Sequence, residues 1–152
     1  MPDTPIGEFG VTVGDVAALV PEASIPTTRG TGQRAVIQTE VEDWIGSLSA
    51  ALESALGEGW SSLPGERLTQ ITATGKTVVA CAAASYLEAA RAPERAGLAN
   101  TTYADVLWDR WVTGRTELVA LVGEWLATDP DLALSRPAAT FPAPSVLDVQ
   151  QW

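Results

Sequence analysis

The chain contains no histidine, one cysteine and one lysine among 152 residues. Without histidine, neither Ser-His-Asp nor Cys-His catalysis can be assembled, and no metal site can use imidazole. Cys81 is alone, so there is no internal disulfide and no sign of an oxidising compartment. Basic residues are scarce: 9 Lys+Arg stand against 19 Asp+Glu, for a net charge of -10. Affinity for nucleic acid comes mostly from Lys and Arg on phosphates, so this balance argues against gripping DNA or RNA. It disfavours an acidic membrane surface for the same reason. Long apolar runs are missing as well. The uncharged window 77–87 is too short to span a bilayer. Residues 1–8 lack the basic region and apolar core of a secretory signal. These features predict a soluble chain, intracellular where it is made.

What is present is enough apolar material for a core, 46% of residues, in a length that fits one domain. The pattern predicts an all-α protein: a small bundle of about four helices with a long central helix, followed by an extended C-terminal tail. Residues 1–10 read as an N-terminal extension, 11–128 as the helical domain and 129–152 as the tail.

Thr12 and Asp15 have the spacing of a capping box ahead of a short first helix ended by Pro21. A loop follows from Glu22 to about Gln38. Thr39 and Glu42 make a second capping box, and Val41, Ile45, Leu48, Leu52 and Ala55 recur along one helical face up to Gly57. The third helix runs from about Glu66 to Arg91. Leu68, Ile71, Val78, Val79, Ala82, Tyr86 and Ala89 form its main stripe. Its opposite face carries the small residues Thr74, Thr77, Cys81, Ala84 and Ser85, with Lys76 the one charge between Arg67 and Glu88. A helix without a charged face is buried on more than one side, so this is the expected central helix, its small residues allowing close approach of a neighbour. The fourth helix starts near Thr102, with Asp105 as capping partner, and runs to about Ala127. Tyr103, Leu107, Trp111, Leu118, Leu121, Val122 and Trp125 make one stripe, and Trp108, Val112, Val119 and Leu126 a second beside it. Together they exceed the ~100° that a surface helix needs. The surplus calls for a partner, and in so small a domain a second subunit is the expected one.

Beyond Asp129-Pro130 the pattern breaks, and Pro137, Pro142 and Pro144 forbid helix there. The end is apolar where a disordered tail would be polar. Phe141, Val146, Leu147, Val149 and Trp152 read as anchors of an extended docking peptide.

Constellations for chemistry are weak. Asp105 and Asp109 lie four apart and could share a hard cation, but a solvated acidic face is the stronger reading. Glu40, Glu42 and Asp43 complement a helix dipole. Cys81 sits among alanines with no base beside it, as a structural cysteine does. Gly30-Thr-Gly32 lacks the strand and spacing of a phosphate loop. Arg29 and Arg34 beside it are weak candidates for an acidic partner. Six tryptophans are many. Trp44, Trp60, Trp111 and Trp125 are expected in the core, Trp108 on the surplus face and Trp152 as an anchor.

The stretch Ala82-Ala-Ala-Ser-Tyr-Leu-Glu-Ala-Ala-Arg-Ala-Pro-Glu-Arg95, followed by Thr102-Tyr-Ala-Asp-Val-Leu-Trp-Asp-Arg-Trp111, resembles the head-to-tail adaptor (connector or head-completion) proteins of long-tailed double-stranded DNA bacteriophages. The opening Val11-Thr-Val-Gly-Asp-Val-Ala-Ala-Leu-Val-Pro21 is similar to their start, so the resemblance covers roughly residues 11 to 127. It implies a non-enzymatic virion protein without cofactors, made in the host cytoplasm. Such a protein forms a ring, typically of twelve copies, between the portal and the next connector, a stopper or tail-completion protein. DNA would pass through the ring without specific binding, helped by a negative lumen. The expected subunit interface is Trp108, Val112, Val119, Leu126, Thr77 and Cys81. The expected portal-docking residues are Phe141, Val146, Leu147, Val149 and Trp152. The competing reading from another class is an acidic helical regulator, of antitoxin or anti-repressor type, binding a basic protein partner.

Overall fold

A computed structural model describes residues 3–31, 35–91 and 102–129. Four α-helices carry the fold: α1 (Val13–Leu19), α2 (Gln38–Leu56), α3 (Gly65–Arg91) and α4 (Tyr103–Thr128). A 3-10 turn, Trp60–Ser62, joins α2 to α3. No strand occurs among the described residues, where Ile6 and Val11 form an isolated antiparallel bridge. The protein is an all-α bundle, as its periodicity predicts.

Helix α3 is the axle of the bundle. It packs most extensively on α4, then on α2 and α1. Every residue from Val78 to Ser85 is buried, which requires neighbours on all sides. Alanine makes this possible, since a methyl group lets a neighbouring backbone come close without a cavity to fill. At the crossing with α4 the approach is closer still: a Cβ on Gly114 would lie 2.5 Å from Val78 Cγ2. Of the small face of α3, Cys81, Ala84 and Ser85 are buried within the chain, Ser85 against the start of α4, while Thr74 and Thr77 stay exposed.

The helix starts follow local chemistry. The Thr12 hydroxyl accepts from Asp15 N–H while the Asp15 carboxylate accepts from Thr12 N–H at 2.8 Å, and Thr102 and Asp105 repeat the device on α4. In α2 the start differs from the Thr39–Glu42 box. The helix begins at Gln38, and Glu40 reaches back to accept from Ile37 N–H at 3.0 Å. Ile37 has no side-chain acceptor, so only half of a box forms. Arg29 pairs with Glu40 and ties the preceding loop to that turn, so this arginine is engaged within the chain. Arg34 lies outside the described residues.

The N-terminal boundary also moves. Ile6 N–H donates to Val11 O at 2.8 Å and Gly10 N–H to Gly7 O at 3.1 Å, closing a tight loop. The loop drives Phe9 into the core, 1% exposed and stacked on Trp60 with ring centroids 5.4 Å apart. It enters beside α3 at Gly75, where a Cβ would lie 2.4 Å from Phe9 Cδ1. Residues 6–10 are thus part of the folded domain rather than an extension to it.

Candidate interaction surface

Specific cross-links hold α4 in place. The Ser85 hydroxyl donates to Ala104 O at 3.0 Å, joining the end of α3 to the start of α4. The Tyr103 hydroxyl donates to Leu19 O at 2.9 Å, pinning α4 to the end of α1. At the far end, the Arg67 guanidinium lies 5.2 Å over the Trp125 ring. Lys76 Nζ sits 3.0 Å from Asp15 and ties α3 to α1. These contacts make α3 and α4 antiparallel neighbours in a defined register.

On that frame stands a run of aromatic rings that crosses three helices. Trp44 of α2 meets Tyr86 of α3 edge-on at 5.8 Å. Tyr86 stacks on Trp108 of α4 at 5.7 Å, and Trp108 leans on Trp111 at 6.3 Å. Trp111 is buried and anchors the run. The outer rings are not covered: Tyr86 is 38% exposed and Trp108 37%, with Val112 beside them at 48%. Trp108, Val112, Arg115 and Val119 follow one another at helical spacing along the flank of α4. Arg115 is exposed and pairs with no acid among the described residues. Large side chains held in fixed geometry and left open to water are the usual mark of a surface that meets a partner.

The expected interface residues divide. Trp108 and Val112 are exposed, Val119 is half-buried against the core, and Thr77 is exposed. Leu126 and Cys81 are corrections, because the chain's own atoms cover both. Leu126 fits against Gly59, just ahead of the 3-10 turn, near enough to touch a Cβ placed there. Cys81 lies under α4 beside Arg110. Burial pushes its thiol up, partly offset by the guanidinium. Tyr86 is a correction of the opposite kind, since the stripe on α3 placed it in the core. Tyr103 was expected inside and is 46% exposed. Sequence reasoning missed Phe9 as a core residue. The tail anchors Phe141, Val146, Leu147, Val149 and Trp152 lie outside the described residues.

Nothing else among the described residues competes as a site. Val106, Asp109, Arg110, Thr113, Gly114 and Glu117 line an open depression of mixed charge on the far flank of α4. A second hollow lies between the end of α1 and Glu88, Arg91 and Tyr103. Asp105 is spent on capping, and no group of three His, Cys, Asp or Glu residues among those described is placed to hold a metal ion. No helix among them is long and apolar enough to cross a membrane.

No protein-family model, no curated protein and no solved structure matches this chain.

Proposed function

We propose that this chain is a structural virion protein of a phage head–tail connector, acting by assembly and not by catalysis. It forms a ring on the portal and offers the next connector, a stopper or tail-completion protein, its seat. The observation that carries this reading is the open face of Tyr86, Trp108 and Val112 on a cross-linked helical frame. A neighbouring subunit would cover it and draw the hot-spot energy that buried tryptophan and tyrosine supply. The resemblance of residues 11 to 127 to head-to-tail adaptors supplies the setting. The net charge of -10 supports a lumen that repels DNA phosphate.

Native mass spectrometry with and without a cognate portal ring tests the proposal. About twelve copies added to one portal is the expected result. A discrete dimer that ignores the portal would overturn it and favour an acidic regulator with a basic protein partner.

A further inference from the structure

The aromatic flank of α4 has a counterpart on the other side of the same helix. We propose that subunits meet head to tail: the Trp108–Val112–Arg115–Val119 flank of one copy seats in the depression of the next, lined by Val106, Asp109, Arg110, Thr113, Gly114 and Glu117. This pairing rests on the ring reading and supplies the surface that covers the open face.

A closed head-to-tail assembly needs two different patches on opposite sides of each subunit. At about 100° per residue, the centres of these two runs lie about 160° apart around α4. The buried arc of Leu107, Trp111, Leu118 and Val122 lies between them, so each run occupies its own flank of the helix. Helix α3 gives the same answer independently. The first flank adjoins Tyr86, which stacks on Trp108, and the second adjoins Cys81, which Arg110 reaches. Tyr86 and Cys81 are five residues apart, about 140° around α3.

Shape and charge match across the pair. Trp108 and Val112 are large and open, whereas the depression holds about 400 Å³ and has the small residues Thr113 and Gly114 among its walls. Arg115 is the one charged side chain of its run and pairs with no acid among the described residues. The depression offers two acids, Asp109 and Glu117, which also stand outside the ion pairs described. Turning the aromatic flank onto a second copy of itself would set Arg115 toward another Arg115, with no acid from that run. Rotation about the axis of a ring of about twelve copies turns one α4 from the next by about 30° or less, so neighbouring helices run the same way. Set level, Arg115 lies within two residues, about 3 Å, of the height of the neighbour's Glu117. Trp108 lies as close to the heights of Val106 and Arg110, an apolar contact and a guanidinium for its ring face. The charge pair fixes the register, and the indole supplies the buried area.

Native mass spectrometry of the full-length chain on a cognate portal reads the contact. Arg115→Glu should raise the chain concentration needed to complete the assembly at least about tenfold. Adding Glu117→Arg to Arg115→Glu should recover most of that loss. Adding Glu58→Arg instead, which restores the same net charge, should not. Covalent capture gives a second reading that does not depend on charge. On the portal, a short bismaleimide should join chains carrying Val112→Cys to chains carrying Thr113→Cys, leaving the buried Cys81 unlabelled. Val112→Cys chains alone should not be joined. Capture of Val112→Cys chains by one another would overturn the head-to-tail contact in favour of a face paired with itself. Unchanged assembly by Arg115→Glu would overturn it too, with the ring reading intact. A wild-type chain that adds no ring to the portal would overturn both.

Discussion

Ser49 holds the one buried side-chain polar atom without a hydrogen-bond partner among the described residues. It lies under the tight loop at Gly7, where a Cβ would come within 2.8 Å of its side chain. Burying an unpaired hydroxyl costs about 1–3 kcal/mol. Ser49→Ala should therefore raise the urea midpoint, by up to about 1 kcal/mol of stability. Two glycines of α4 make a sharper pair. Gly123 faces open space, so Gly123→Ala should gain the roughly 1 kcal/mol that alanine holds over glycine in a helix. Gly114 faces Val78, so Gly114→Ala should lose about 1–3 kcal/mol by overpacking. The same urea titration separates them by sign. Cys81, buried and with its thiol pushed up, should resist thiol reagents in the native state and react once the chain unfolds.

At the scale of the element, the helix starts govern acid stability. Burial acts to raise Asp15, but the Thr12 amide, Lys76 and the Thr12 hydroxyl outweigh it and hold the carboxyl below its ordinary 3.8. The Thr102 amide and hydroxyl lower Asp105. The Ile37 amide, helped by Arg29, lowers Glu40 below 4.5. A carboxyl lowered by folding stabilises the protein fully above its unfolded value, and that contribution drains away as pH falls through the folded one. With no histidine to titrate, the melting temperature should stay nearly flat from pH 8 to about pH 5, then drop as pH falls below about 4. Calorimetry across that range is the check, and a step near pH 6.5 would contradict it.

The helices were legible because each announces itself by spacing and by a cap. Thr12–Asp15 and Thr102–Asp105 both formed as read. The start of α2 was misplaced because two acids, Glu40 and Glu42, compete to fold back, and spacing does not rank them. Gln38 Nε2 donates to Glu42 at 2.7 Å instead. Phe9 stayed hidden because a single aromatic between turn residues has no period to show. Tyr86 was misjudged for another reason. Periodicity tells which side of a helix is apolar, not how far along it the neighbours reach.

On the scale of the whole molecule, the candidate face was legible on α4 alone. Trp108 and Val112 stand where the surplus stripe put them, while Trp44 and Tyr86 join from helices whose placement no one-dimensional pattern contains. A face built for contact should cost less to lose in the isolated chain than in the assembly. Trp108→Ala, about a third exposed as that ring is, should lower the stability of the subunit by about 1–2 kcal/mol. If Trp108 is an interface anchor, the same change should weaken association by about 2 kcal/mol or more. Urea unfolding of the subunit and titration against its assembly partner measure the two effects independently.

The distance between α3 and α4 is fixed where Gly114 meets Val78, by backbone against a short branched side chain. No long rotamer stands between them to absorb an error. The crossing behaves as a gauge block, and the stack of Tyr86 on Trp108, eight residues along one helix and six along the other, is calibrated by it. A single methyl added at the block would tilt that stack out of true without touching either ring, and the aromatic surface would lose its fit while every residue on it stayed the same.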